Sequence, residues 1–150
     1  MNEKRIVLTG GTRGIGLGMV RNFLKAGHRV CITGRSQGSV DRALEQLRAD
    51  APAGKLIGIP CDAGNFAQVQ QVWDSAAEHF GGIDIWINNA GVANPVSDFE
   101  LLPTSDYENV VNTNLIGIMH ACKVALLGMT AQGHGQIYNF EGFGSDGMVS

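Results

Sequence analysis

The sequence predicts an α/β fold, a doubly wound parallel sheet with helices on both faces. Five short apolar runs recur along the chain: Arg5 to Thr9, Arg29 to Thr33, Lys55 to Ile59, Ile83 to Asn88 and Gly135 to Phe140. They are mostly continuous rather than alternating, the pattern of strands buried on both faces. Between them lie segments with apolar residues at helical spacing, which supply the crossovers that parallel strands need. The third observation is a glycine-rich turn, Thr9-Gly10-Gly11-Thr12-Arg13-Gly14-Ile15-Gly16, set between the first apolar run and the first helical segment.

That turn has a physical use. Gly10, Gly14 and Gly16 carry no Cβ, so the backbone can turn tightly, admit a pyrophosphate and let the helix lie close to its strand. The free N–H groups and the positive end of the helix dipole then face the anion. The spacing is G-x-x-x-G-x-G rather than the commoner G-x-G-x-x-G, so the turn alone is also compatible with an ordinary glycine-rich loop.

The remaining elements follow in order. The first helix carries the rows Ile15, Met19, Phe23 and Gly16, Val20, Leu24, and ends at Ala26-Gly27, where glycine can take the left-handed cap. Val40, Ala43, Leu44 and Leu47 mark a second helix that Ala51-Pro52-Ala53-Gly54 terminates. Asn65, with Gln68 three residues on, is the expected N-cap of a third, whose apolar face is Phe66, Val69, Trp73, Ala76, Ala77 and Phe80 and whose stop is Gly81-Gly82. Gly91 to Pro103 reads as a loop, since Asn94-Pro95 and Pro103 interrupt it and its apolar residues keep no period. Ser105-x-x-Glu108 is the capping box of the longest helix, with a seam of Val111, Leu115, Ile118, Cys122, Ala125 and Met129. So regular a seam suits a helix partner, either its own sheet or another subunit.

Composition narrows the function classes. With 150 residues and 44% of them hydrophobic, residues 1–150 are expected to form one domain with a real core. The net charge of −3 and the scattered Lys and Arg give no field for a nucleic-acid backbone. No signal region and no run of about 18 apolar residues is present, so a cytoplasmic protein without a membrane role is expected. Cys31, Cys61 and Cys122 lie far apart without metal or disulfide spacing and are expected to be reduced and buried. His28, His79, His120 and His134 show no ligand spacing and read as surface or capping residues; no metal site is expected. Trp73 and Trp86 are expected to pack rather than bind.

The unusual residues gather where an open parallel sheet binds ligands, outside the carboxyl ends of its strands. Thr9-Gly10 follows the first strand, Gly34-Arg35-Ser36 the second, Cys61-Asp62 the third, Asn88-Asn89-Ala90-Gly91 the fourth and Glu141-Gly142 the fifth. Five consecutive strand ends therefore point at one crevice and make a dinucleotide site the expectation.

TGGTRGIG near the start, NNAG at 88–91 and Asn114 within NTNLIG together resemble the short-chain dehydrogenase/reductase family over essentially the whole chain. The resemblance implies a Rossmann-type sheet, a nicotinamide cofactor and hydride transfer between it and a carbonyl or alcohol. By position, Gly10, Thr12, Arg13, Gly14, Ile15 and Gly16 would border the pyrophosphate and adenosine ribose, and Asp62 with Ala63 the adenine. Asn89, Ala90 and Gly91 would hold the central strand near the nicotinamide ribose. Asn114 would be the family's active-site asparagine, which orders a water of the proton relay. The stretch EGFGSDG, with IDIWINNAG and TNLIG upstream, is similar to the branch containing chlorophyll b reductases, which speaks of lineage more than of substrate. The complete protein is expected to be a homo-oligomer acting on a small molecule.

Two departures qualify the resemblance. Ile137-Tyr138-Asn139 matches the family's strand-five motif, but Gly142 stands where its substrate-binding serine is usual; Ser145, three residues on, is the candidate to supply that hydroxyl. The family's Tyr-x-x-x-Lys is missing: Tyr107 and Tyr138 are followed four residues on by Val111 and Gly142. The chain therefore reads as the amino-terminal, cofactor-binding part of a longer enzyme, incomplete on the C-terminal side of its sheet, inactive alone and prone to associate through its uncovered fifth strand. The competing reading is a non-catalytic nucleotide-binding module, or a truncated product completed by another chain.

Cofactor choice is legible at the second strand end. Thr33-Gly34-Arg35-Ser36 offers no carboxylate to accept from the two ribose hydroxyls, as an NAD site does, whereas Arg35 and Arg13 suit a 2′-phosphate and Ser36 adds a hydroxyl. NADPH is therefore expected over NADH, with two exposed surface arginines as the alternative.

Overall fold

The structure, a computed structural model, describes residues 2–140. Glu141, Gly142 and Ser145 lie outside the described residues. The strands are β1 (Arg5–Leu8), β2 (Arg29–Gly34), β3 (Leu56–Pro60), β4 (Ile85–Asn88) and β5 (Gln136–Asn139). All pair in parallel, in the order β3-β2-β1-β4-β5, so the sheet grows outward in both directions from β1 as a doubly wound fold does. The helices are α1 (Gly14–Lys25), α2 (Gln37–Leu47), α3 (Phe66–Phe80), α4 (Thr104–Val111) and α5 (Gly117–Gln132).

The period of two along each strand divides the core into two layers. Ile6, Leu8, Val30, Ile32 and Ile87 point to one face, where Val20 and Leu24 of α1 and Ala43 and Leu47 of α2 cover them. Val7, Cys31 and Trp86 point to the other, under Val69, Trp73 and Ala76 of α3 and Ala121, Val124 and Ala125 of α5. Register enforces this, because Val7 lies beside Cys31 on one side and Trp86 on the other. Trp73 and Trp86 stack at 6.0 Å between ring centres inside the second layer, so both pack as expected.

Local signals hold where they depend on neighbours in sequence. Gly27 is left-handed after α1, Asn65 accepts from the Gln68 N–H, and left-handed Gly81 ends α3. Elsewhere the structure corrects the reading. Phe66 is half out of the core, because it opens α3 and lies edge-on against the His120 ring of α5, which is half-buried rather than superficial. The capping box at Ser105 does not form. Pro103, with φ fixed near −56°, occupies the cap position, so the helix starts at Thr104 and Ser105 is already inside its first turn. The loop after Gly91 contains one 3-10 turn, Phe99–Leu101.

The seam of the long helix is also broken. Between α4 and α5 the chain makes a π-helical segment, Asn112–Ile116, in which the Gly117 N–H reaches the Asn112 carbonyl five residues back. The wider turn changes the helix face presented to the sheet. Val111 and Leu115 therefore face outward, while Ala125 and Met129 reach the core together with Gly117, Ala121 and Val124. From Thr104 to Gln132 the helix is long and apolar enough to cross a bilayer by length and composition, but its inner face is committed to α3 and the sheet.

At the opposite end of the sheet from the strand carboxyl ends, Arg5 ties β1 to the start of β4. Its backbone N–H and Nε donate to Asp84 Oδ2 at 2.8 and 3.0 Å, and Nη2 donates to Oδ1 at 2.7 Å. The guanidinium holds the Asp84 carboxyl at about 2, below its ordinary 3.8. A depressed carboxyl contributes stability that is fully present above its unfolded value and is lost as pH falls through its folded one. Acid should therefore weaken the fold between about pH 4 and pH 2, by about 1 kcal/mol after solvent screening of this part-exposed pair. Urea midpoints at pH 7 and pH 3 check this, since Asp84→Asn should remove that share of the difference.

Candidate functional site

The sheet order reverses between β1 and β4, and a cleft of about 600 Å³ opens there at the strand carboxyl ends. The loops after β1 and β4 are laced together across it. Thr9 Oγ1 accepts from the N–H groups of Asn89 at 3.0 Å and Ala90 at 3.1 Å, and donates to the Ile87 carbonyl at 3.4 Å. Asn89 Nδ2 in turn donates to the carbonyls of Thr9 and Gly10 at 3.0 and 3.1 Å. Gly10 has φ +69°, and a Cβ there would stand 2.8 Å from Ala90 Cα; on Gly16 it would overlap the Gly10 carbonyl oxygen. These two glycines allow the close approach of α1 to β4. Arg13 precedes α1 in extended backbone without a side-chain cap, and the first turn holds no acid, so the helix offers its N-terminal N–H groups to the cleft.

At the end of β2, Gly34 is equally constrained: a Cβ would meet Thr12 Cγ2 at 2.5 Å and Ser39 Oγ at 2.8 Å. Ser36 caps α2, its hydroxyl accepting from the Ser39 N–H. Arg35 reaches across the cleft, where Nη2 donates to Asn109 Oδ1 at 3.3 Å and Thr113 Oγ1 at 3.4 Å. At the end of β3, the Asp62 N–H donates to Gln68 Oε1 at 2.8 Å and its carboxylate accepts from the Gly64 N–H at 3.0 Å. Asp62 is the one carboxylate on the wall among the described residues.

The expected cofactor-contacting residues thus converge. Gly10, Thr12, Arg13, Gly14, Ile15, Gly16, Arg35, Ser36, Asp62, Ala63, Asn89, Ala90 and Gly91 all line this one cleft. Asn114 stands beside rather than within its wall. The π segment turns it toward the loop after β4, where Oδ1 accepts from the Val92 N–H at 2.9 Å and Nδ2 donates to the Val92 carbonyl at 2.8 Å. Ser145 falls outside the described residues. Sequence reasoning missed Ser39, Arg42, Thr113 and Gly117 on the wall. Arg42 had a signal: it is four residues beyond Gly38, and helical side chains lean toward the N-terminus. Thr113 and Gly117 had none, because the π turn sets their direction.

Cysteine chemistry is quiet here. Burial pushes the Cys31 thiol up to about 12 and the Cys61 thiol up to about 11, so neither provides a thiolate at neutral pH. Cys122 is only half-buried, contrary to expectation, because it sits where α5 meets the exposed β5. There its sulfur lies 3.4 Å from Asn88 Nδ2 and 3.5 Å from Asn139 Oδ1. No disulfide and no metal-ligand cluster occurs among the described residues.

The cradle fits a dinucleotide: a glycine-lined approach to a helix N-terminus, cations on one wall and an apolar floor of Val69, Val72 and Trp86. Comparison with known proteins agrees. The short chain dehydrogenase family model matches residues 4–142. The chain is 39% identical over 145 residues to the chloroplastic chlorophyll(ide) b reductase NOL of Oryza sativa subsp. japonica, covering 95% of this chain and 42% of that protein. It superposes with a TM-score of 0.88 and 29% identity on an actinorhodin polyketide ketoreductase with NADPH, covering 98% of this chain and 56% of the other. A short-chain dehydrogenase/reductase of Burkholderia phymatum in complex with NAD superposes at 0.83 with 29% identity, over 92% and 48%. The chain spans about half the length of the curated relatives it matches. It belongs to the short-chain dehydrogenase/reductase family, with the chlorophyll b reductases among its similar relatives.

Proposed function

We propose that this chain is the cofactor-binding part of an NADPH-dependent oxidoreductase acting on a small carbonyl or alcohol substrate. The observation that carries the reading is the charge at the end of β2: Arg35 and Arg13 on the cleft wall, and no carboxylate between Thr33 and Ser39. Bound there, the nicotinamide would supply or accept hydride, and solved relatives hold either NADPH or NAD. Gly10, Gly14 and Gly16 would admit the pyrophosphate, Asp62 and Ala63 would border the adenine, and Asn89 to Gly91 would face the nicotinamide ribose. A carboxylate would repel a 2′-phosphate, whereas arginine's planar fork accepts it with two parallel hydrogen bonds.

Calorimetric titration of the full-length protein with both cofactors tests the reading. NADPH should bind more tightly, and Arg35→Ala should weaken it by about 1–3 kcal/mol while leaving NADH within a few tenths. Equal or tighter NADH binding in the unaltered protein would sink it.

A second reading rests on one sequence fact. Neither Tyr107 nor Tyr138 has a lysine four residues on, so residues 1–150 hold no tyrosine–lysine pair to protonate a developing alkoxide. By themselves these residues would bind nucleotide without turnover. The outward Leu115, Met119, Leu126 and Leu127 of the long helix suit self-association in the working enzyme.

A further inference from the structure

Seven arginines occur in the sequence, and their partners divide them. Arg5, Arg21, Arg29 and Arg48 each pair with a carboxylate. Arg13, Arg35 and Arg42 pair with none among the described residues, and all three stand on the wall of the cleft. The unneutralised guanidinium charge of the described chain is thus concentrated at one place.

The three are not equivalent. Arg35 is committed across the cleft to Asn109 and Thr113. Arg42 has no hydrogen-bond partner among the described residues; it leans back along α2, so that a Cβ on Gly38 would stand 3.7 Å from its Nη1. That places a free planar fork over the first turn of an eleven-residue helix whose first turn holds no acid. The N–H groups of Gln37 and Gly38 in that turn have no partner among the described residues, because the Ser36 cap serves Ser39 and Val40. Gly38 carries no side chain to stand between the fork and these amides.

We propose that Arg42 is a specificity-determining residue for the cofactor: with the first turn of α2 it holds the ribose 2′-phosphate, while Arg35 spans the cleft beside it. This rests on the NADPH reading above and goes beyond it by adding a discriminating contact from a helix residue to that of Arg35 at the strand end. The fork supplies two parallel donors, the amides supply more, and the helix dipole adds its positive end. Lysine at this position would keep the charge and lose the paired geometry.

The experiment is calorimetric titration of the full-length protein with NADPH, NADH, adenosine 2′,5′-bisphosphate and AMP. Arg42 is exposed, so its substitution leaves the core intact. Arg42→Ala should weaken NADPH and the bisphosphate by roughly 10- to 100-fold and shift NADH and AMP less than about twofold, with Arg42→Lys in between. Arg48→Ala is the control at the C-cap of the same helix, since Arg48 pairs with Glu45 away from the cleft. If the unaltered protein prefers NADPH but Arg42→Ala preserves that preference, or if Arg48→Ala weakens NADPH as much, the assignment of Arg42 is overturned and the NADPH reading stands. If the unaltered protein prefers NADH, the NADPH reading fails and this inference with it.

Discussion

Gly16→Ala is expected to weaken cofactor binding severely and lower the melting temperature, whereas Gly18→Ala, two residues on, is expected to raise it slightly. Both lie in α1, and both add one methyl group. On Gly16 that methyl would overlap the Gly10 carbonyl oxygen and stand 2.7 Å from Asn89 Nδ2, atoms that cannot yield without parting α1 from the loops after β1 and β4. The two Asn89 bonds to Thr9 and Gly10 would strain or break with them. Overpacking costs about 1–3 kcal/mol and each lost hydrogen bond about 1, so the sum is about 2–4 kcal/mol. For a chain of this size that is a fall of roughly 5–15 °C. The same shift moves the helix N-terminus away from the position proposed for the pyrophosphate, so nucleotide affinity should drop at least ~100-fold, as for a misplaced reacting group. Gly18 is exposed, with nothing within 4 Å of a Cβ, so alanine there gains only helix propensity, about 0.5–1 kcal/mol. Thermal melts with and without NADPH check both. A Gly16→Ala protein that melts and binds like its parent would refute the close-approach argument.

How much of this was legible in the sequence follows from the range of the physics involved. β1, β2 and β4 were readable because burial on both faces leaves continuous apolar runs, and the edge strands β3 and β5 were readable from their apolar runs though they are only part-buried or exposed; no strand end shifts by more than two residues. The cleft was readable because residues demanded by backbone geometry and by lacing, Gly10 and Asn89 just past strand ends and Gly16 in the first turn of the helix that follows, are placed by the apolar runs beside them. Thirteen cofactor-contacting candidates on one wall reflect that placement. The π segment was not readable. It depends on Asn112 packing where Gly64 leaves room and on Gly117 lying against Ala63, contacts between distant parts of the chain. An α-helical period carried through Asn112–Ile116 therefore put Val111 and Leu115 on the wrong face and left Thr113 off the cleft wall. The Ser105 box failed for a local reason that outranked it, a proline already holding the entry angle at Pro103.

Because the π segment aims Asn114, the substitution with the most to say about catalysis is the nearly isosteric one, Asn114→Asp. The side chain now makes two opposite bonds to one residue, accepting from the Val92 N–H at 2.9 Å and donating to the Val92 carbonyl at 2.8 Å. A carboxylate keeps the first and cannot make the second; its charge faces a carbonyl oxygen instead. Alanine loses both bonds but brings no repulsion. Aspartate should therefore release the loop after Gly91 at least as far as alanine does, by about 1–3 kcal/mol for a pair turned from attraction to an unmet acceptor. In the full-length protein, a displacement of about 1 Å in the loop proposed to face the nicotinamide ribose should lower turnover by ~10²-fold. The sign with pH distinguishes positioning from simple damage. A protonated carboxyl donates again, so turnover and Val92 amide protection in the Asp variant should recover as pH falls through the value of the introduced carboxyl, while the Ala variant stays flat. Hydrogen exchange at Val92 measured beside kcat over that range decides the matter. An Asp variant with parental turnover and parental Val92 protection at neutral pH would mean that the Asn114 clamp does not set the site.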